Sequence, residues 1–557
     1  MYQETEYAHS VGCKGLSKTI RPLSNQTTNE QELSMSESGP GVPRGANGDG
    51  ASERSPRPER PPVRALDPAT AMRLTDGRAP LPALYLSDRL LVRAAPGGGA
   101  TRGLGDLRSA LAKLELDFRV TPRPDGGTRD LEADSWGTSI TLTPARPIDA
   151  VDAWKVLQQL RQSDGPLAEQ LSLEHVLRPA DGYWGGVGGY WGGVGGYWGG
   201  VGGYWGGVGG SALQEYSVPG RGGRMPVALA LPDPRLRARP VDRSPVVVVP
   251  DTAIAGHPWF KRDSGVLRMV LENGRLVPLL TGPADPPVEP PITAPTPPPA
   301  EPAGLLQGHA TFIAGLVRQG CPEATILSIR VMGDDGIVDE SVMLDVLQAL
   351  LDRHVHGQEH DDPSEVVDVL SLSMGYYAED STYTSGPVAD LLDRFAERGI
   401  LVVAGVGNDG TSSPFVPAAL AAAPPQRVTK KSVPPLASVG ASNPDGTTVA
   451  LFSNTLTVVS AVRAGVSVVS TLPLTNGMGQ PSSQVSSSDG TVRCTVDPDD
   501  YTGGFGVWSG TSFATPVFAA ELAATLIEEG GLTDVSAPTM RKRAIRALRT
   551  CIGRTRS

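Results

Sequence analysis

From residue 226 onward the chain alternates apolar, strand-like runs with helical patterns, and few folds accept that alternation. Val246–Val249 is a run of four valines, and Ala324–Val331, Val366–Ser371, Ile400–Ala404 and Leu436–Val439 follow it. Between them Thr311–Gln319, Glu340–Leu351, Val388–Arg398 and Ser512–Glu529 have helical spacing. A strand that is apolar at every position is buried on both faces, and helices between such strands supply the cover. The expectation is an α/β domain over residues 226–545, a three-layer sandwich with a mostly parallel sheet. Pro283–Pro302 holds ten prolines in twenty residues, an extended surface loop within that domain. Residues 546–557 are expected to form a basic tail. Arg541–Arg556 carries seven basic residues and no acidic one, the pattern of a solvated helix face.

Upstream, residues 84–180 read as a smaller α+β domain. Strand patterns at Leu84–Ala94, Asp117–Val120, Thr138–Thr143 and Leu171–Leu177 are interleaved with helical spacing over Asp106–Leu114 and Ala150–Leu160. Strand–helix–strand–strand–helix–strand is the order of a ferredoxin-like domain, although other small α+β domains share it. Residues 1–80 are polar and rich in Ser, Gly, Pro and Arg, a composition expected to be disordered. Residues 181–225 are expected to be a glycine-rich linker. Within it, Tyr183–Gly210 is four copies of YWGGVGG, with 16 glycines in 28 residues, too costly in backbone entropy to fold alone. An adhesive role for its Tyr-Trp pairs would account for only this stretch.

Composition removes several classes of function. A net charge of −11 argues against a nucleic-acid partner. Four cysteines in 557 residues, with no C-x-x-C pair, exclude a disulfide scaffold and a zinc ribbon. No apolar run approaches the roughly 20 residues that a membrane helix needs, so no membrane partner is expected. The first residues lack a signal-peptide layout. The expectation is a cytoplasmic protein, or a secreted one if the true start differs.

Three residues sit where a parallel sheet places its chemistry, at the carboxyl ends of strands. Asp251 follows the valine run, His309 opens an apolar helix in GHATFIAGL, and Ser512 opens another in SGTSFATPVF. Each alone reads as a cap or a turn residue. Together they supply what acyl transfer requires. A serine hydroxyl needs a base, an imidazole can take and return its proton, and a carboxylate holds the imidazole's tautomer. A helix N-terminus at the serine favours a developing anion.

Asp-Thr after a valine-rich strand, Gly-His-x-Thr opening a helix, and Gly-Thr-Ser-x-Ala-x-Pro opening another resemble the subtilisin-like serine proteases, the subtilases. The order Asp, His, Ser is also theirs. The resemblance covers about residues 226–545 and implies a serine endopeptidase in which Asp251, His309 and Ser512 form the triad. In AGVGNDG (residues 404–410), it implies that the Asn408 side chain donates to the oxyanion, with the backbone N–H of Ser512 as partner. SLSMG (residues 371–375) is similar to the family's pocket-lining strand. That implies substrate binding by Ser373, Met374 and Gly375, with Gly405, Val406 and Gly407 as the opposite wall. Ala310 stands where the family commonly has glycine.

By the same resemblance, the domain at residues 84–180 looks like a propeptide that blocks the cleft, so polypeptides and the chain's own propeptide-like domain are the implied partners. The enzyme is then expected to cut itself between Ala180 and Arg243. No cofactor is expected. The resemblance allows a structural calcium, but no calcium-loop motif is present, and His354, His356 and His360 beside Asp361 and Asp362 match no metal spacing. The other reading still open is a non-catalytic subtilisin-like domain that binds extended peptides in the same cleft.

Overall fold

The computed structural model describes residues 62–554, apart from 95–99, 128–134, 147–149, 164, 180–222, 230, 262–263, 280–305, 334–335, 422–435, 475–480 and 482. The YWGGVGG repeats, the proline-rich loop at residues 283–302 and residues 1–61 lie outside the described residues.

The first module has strands β1 (Val63–Ala65), β2 (Leu84–Arg93), β3 (Leu116–Val120), β4 (Gly137–Pro144) and β5 (Leu171–Pro179). Helices α1 (Ala100–Ala112), α2 (Ala153–Ser163) and the single turn α3 (Gly165–Ala168) accompany them. The sheet order β5-β2-β4-β3, antiparallel throughout, is the ferredoxin-like arrangement that the element order predicts. Leu107, Leu111, Trp154, Leu157 and Leu160 are buried against one face of this sheet. The module starts earlier than expected. Disorder through residue 80 does not hold for residues 62–80, because β1 pairs with β2 and Leu66 and Leu74 are buried in the same core. Two apolar residues in a polar stretch carry no periodicity, so composition alone misses them.

The second module has strands β7 (Val246–Asp251), β8 (Val266–Glu272), β9 (Arg275–Pro278), β10 (Thr325–Arg330), β12 (Val369–Leu372), β14 (Leu401–Gly405), β16 (Ala437–Ser442) and β17 (Ala461–Ala464). Their order across one sheet is β17-β16-β14-β12-β7-β10-β8-β9. Every adjacent pair is parallel except the β8–β9 hairpin. The valine run explains the layering. Val247 and Val249 pack with α4 (His309–Gly320) and α7 (Thr511–Glu529), whereas Val246 and Val248 pack with α5 (Glu340–Glu359) and α6 (Pro387–Arg398). Successive side chains of a strand face opposite ways, so an all-apolar strand needs a helical layer on each side.

The last helix, α8 (Ala537–Arg554), corrects the expected boundary at residue 545. Residues 546–554 continue this helix, and Met540, Ala544, Ala547, Leu548 and Cys551 are buried. The basic residues Lys542, Arg546 and Arg549 occupy the outer face. Counting charge without its helical period hides the apolar stripe. His354 is buried within α5, where Nδ1 accepts from the Val367 N–H at 3.0 Å.

Strand β5 joins the two modules. Beyond its own sheet it pairs antiparallel with β11 (Val338–Asp339) and with β13 (Met374–Tyr377), and β13 continues to β15 (Phe415–Val416). At this junction His175 is buried and stacked on Tyr376, ring centroids 4.1 Å apart. Its Nδ1 lies 2.8 Å from a Glu340 carboxylate oxygen and its Nε2 lies 3.0 Å from Glu379. Two carboxylate partners can both be served only by the doubly protonated ring. Burial pushes the imidazole pKa down, but Glu340 and Glu379 outweigh it and raise the value from 6.5 to about 9. A raised folded-state pKa stabilises fully below the unfolded value, and the gain is lost as pH rises through about 9. The urea midpoint of the wild type should therefore fall between pH 6.5 and 9 more steeply than that of His175→Gln. Parallel pH profiles would refute the ion-paired ring. Around this ring the Tyr376 hydroxyl donates to Glu340 at 2.9 Å, Arg161 lies 4.0 Å from Glu379, and the Tyr383 hydroxyl lies 3.0 Å from that of Tyr376.

Candidate active site

Asp251 is the last residue of β7, fully buried. His309 is the first residue of α4, and its Nδ1 lies 2.8 Å and 3.0 Å from the two Asp251 carboxylate oxygens. The next turn is tied to the same strand end, since Thr252 Oγ1 accepts from the Ala310 N–H at 3.0 Å and Asp251 Oδ1 accepts from the Thr252 N–H at 2.7 Å. The extra methyl of Ala310 is buried in the core without disturbing the helix start, where the Phe312 N–H still reaches Gly308 O at 2.8 Å. Gly308 caps α4 at φ +85, and a Cβ there would lie 2.5 Å from the Pro473 ring. Only glycine turns the chain at that point without strain. The His309 ring packs edge-on against Trp508 and tilted against Phe513, at 5.6 Å and 5.4 Å.

Ser512 lies in the first turn of α7, buried. Its Oγ donates to the Ser373 carbonyl at 3.0 Å, and the Ser373 hydroxyl donates back to the Ser512 carbonyl at 2.8 Å. The structure thus brings Ser373, read as a substrate-binding residue, directly against Ser512. Met374 and Gly375 continue from it into β13. Asn408 is held by its own oxygen, since Oδ1 accepts from the Thr511 N–H at 2.9 Å. That bond points Asn408 at the start of α7 and leaves Nδ2, a buried donor, with no hydrogen-bond partner among the described residues. Gly405 ends β14, Val406 donates its N–H to Val439 O at 3.1 Å, and Gly407 donates to Thr511 Oγ1 at 3.2 Å. Gly407 has φ +97, and a Cβ there would lie 2.4 Å from Asn454 Nδ2.

Three residues around the site escaped sequence reading. Asn454 is buried, donates to Val406 O at 2.9 Å and to the Tyr377 hydroxyl at 2.8 Å, and accepts from the Asp409 N–H at 3.0 Å. Tyr377 and Asp409 complete this network, joined by a hydrogen bond from the phenol to Asp409 Oδ2. Only Asp409 had a signal, its place beside Asn408.

The first module lies against this site. Pro179 pairs with Met374 and Arg178 with Gly375, so the end of β5 runs antiparallel along the strand read as binding substrate. On the far side of residues 180–222, Met225 and Pro226 (β6) pair with the strand Phe505–Trp508. Arg224 lies over the rings of Trp508 and Tyr501, 5.0 Å and 5.4 Å from their centroids. No helix among the described residues is long and apolar enough to cross a membrane.

A doubly covered parallel sheet with these motifs at its strand ends defines the class, a subtilisin-like serine protease. A model of the subtilase family matches residues 242–550, more than half of the chain, and the chain belongs to that family. Polypeptides are the substrates that this family implies. Among solved structures, a point mutant of the protease domain of PatA is 20% identical, covering 51% of this chain and 80% of that one with a TM-score of 0.32. The prenylagaramide maturation protease PagA is 19% identical, with 53% and 81% covered and a TM-score of 0.31. The patellamide maturation protease PatA is 19% identical, with 54% and 84% covered and a TM-score of 0.32.

Proposed function

We propose that the chain is a serine endopeptidase that cuts through an acyl-enzyme intermediate, with Ser512 as nucleophile, His309 as general base and then acid, and Asp251 as the residue that orients His309. The observation that carries this reading is the paired Asp251–His309 contact at the carboxyl end of β7. In the reaction Ser512 Oγ leaves the Ser373 carbonyl and attacks the substrate carbonyl while His309 Nε2 takes its proton. Asp251 holds the proton on Nδ1 and balances the imidazolium. His309 then returns its proton to the leaving amine, and a water molecule repeats the sequence to release the acyl group. Asn408 Nδ2 and the N–H of Ser512 stabilise the oxyanion. Ser373, Met374 and Gly375 pair with the substrate backbone, and Gly405, Val406 and Gly407 form the opposite wall. The chemistry calls for no cofactor.

Residues 84–180, with the preceding segment from residue 62, act in this reading as a propeptide-like inhibitor, because β5 occupies the strand edge that substrate would take. Self-cleavage between Ala180 and Arg243 then yields fragments of about one-third and two-thirds of the chain that stay associated through the β5 junction. A fluorophosphonate probe with intact-mass analysis tests both parts. Labelling at Ser512 and two fragments are expected. A protein that takes no label would instead be a non-catalytic peptide-binding domain.

Asn408→Ala should lower kcat about 10²- to 10³-fold with little change in KM, because the amide serves the oxyanion and not the ground-state carbonyl. A rise in KM alone would make Asn408 a turn residue whose bond to the Thr511 N–H is its whole role.

A further inference from the structure

We propose that the cleft selects substrates with a basic side chain, arginine above all, at the residue that pairs with Gly375, and that Asp409 is the specificity-determining residue. The inference rests on the endopeptidase reading above and deepens it by naming the substrate class.

The chain supplies its own occupant for that position. Arg178 of β5 pairs with Gly375 in antiparallel register. Side chains two residues apart on a strand share a face, so the residue opposite Gly375 lies diagonally beside Tyr377. Gly375 has no side chain to block the crossing. The guanidinium of Arg178 lies 5.3 Å from the centroid of the Tyr377 ring, and Nη2 donates to Asp409 Oδ2 at 2.6 Å.

The acidic partner is built into the site and is not a loose surface charge. The Tyr377 phenol donates to the same Asp409 oxygen, and Asn454 accepts from the Asp409 backbone N–H while donating to the Tyr377 hydroxyl. Burial, followed by the adjacent Asp409, pushes the Tyr377 phenol well above its ordinary value, so it stays a neutral donor. One carboxylate therefore faces one cation across an aromatic platform, and Asp409 is 29% exposed, open enough for exchange of occupants. A charge-assisted hydrogen bond and a cation–π contact together discriminate arginine from a neutral side chain by about tenfold or more at a partly exposed site. A glutamate there would meet Asp409 directly. Lysine keeps the charge but loses the planar stacking group.

The test uses the full chain and internally quenched peptides of residues 173–184, in the native sequence and with Arg178→Lys, Arg178→Ala and Arg178→Glu. Expected kcat/KM falls in the order Arg, Lys, Ala, Glu, with at least a tenfold gap between Arg and Ala. In Asp409→Asn the Arg-to-Ala ratio should drop to near one, and in Asp409→Arg the Glu peptide should overtake the Arg peptide. Cleavage of all four peptides at similar rates, or an Arg preference untouched by Asp409→Asn, would overturn the subsite and leave the endopeptidase reading standing. If no peptide is cut and Ser512 takes no fluorophosphonate label, the endopeptidase reading fails; if no peptide is cut but Ser512 is labelled, β5 blocks the cleft. In both cases hydrogen exchange over residues 371–380 of the full chain decides the subsite. Faster exchange in Arg178→Glu and in Asp409→Arg, with protection restored in the double variant, supports it. Unchanged exchange in the single variants overturns it.

Discussion

Ser512→Ala is expected to abolish peptide hydrolysis, with kcat falling by about 10⁶-fold, the loss recorded for removing the nucleophile of subtilisin. The substitution removes only Oγ. That atom donates to the Ser373 carbonyl, while the reciprocal bond from the Ser373 hydroxyl uses the Ser512 backbone oxygen and survives the change. Alanine is also the best helix former, so α7 should start unchanged. The variant should therefore fold and remain uncut at full length, whereas the wild type is cut into two fragments that stay associated. Turnover of a casein-type substrate at near-normal rate would exclude Ser512 as nucleophile. Processing of the variant at the wild-type rate would assign the cut to another protease.

Asp251→Asn should lower kcat about 10⁴-fold with little effect on KM, the size seen for the corresponding change in a chymotrypsin-type protease. The geometry explains why an isosteric change costs so much. Asp251 Oδ1 is already committed to the Thr252 N–H at 2.7 Å, and both carboxylate oxygens lie within 3.0 Å of His309 Nδ1. An asparagine that keeps its oxygen on Thr252 turns its NH₂ toward Nδ1. The ring must then accept at Nδ1 and carry its proton on Nε2, the nitrogen meant to receive the serine proton. The fold should be little altered, because the side-chain volume and the Thr252 bond are retained. A kcat within tenfold of wild type would mean that His309 needs no carboxylate to hold its tautomer.

Much of the architecture was legible because burial leaves a periodic trace. An all-apolar strand such as Val246–Val249 must have a layer on each side. The strand–helix order of residues 84–180 narrows the first module to a few small α+β arrangements. Boundaries moved where packing overrode local pattern. Helix α1 runs over Ala100–Ala112 and not Asp106–Leu114, and α5 extends to Glu359 beyond the expected Leu351. Strands β8 and β9 were not anticipated, since their half-buried residues alternate weakly.

The residues proposed for catalysis were named from sequence because each opens a helix or ends a strand within a short motif, and the chain order of Asp251, His309 and Ser512 is itself informative. Their contacts were not. That Asp251 meets His309, that Ser512 faces Ser373, and that Asn408 is anchored by the Thr511 N–H depend on which strand ends the parallel sheet places side by side. The junction of β5 with β13 is further removed from local pattern still. Any half-buried edge could have received β5, and its register, Arg178 on Gly375, follows from the fit of His175 between Glu340 and Glu379 and of Arg178 against Asp409. Sequence alone determined the layered sheet and the chemical types at its strand ends, because apolar period and short motifs are local. Only the tertiary structure decided which of those groups touch and what lies in the cleft, because contacts between distant segments are selected by packing and charge pairing in three dimensions.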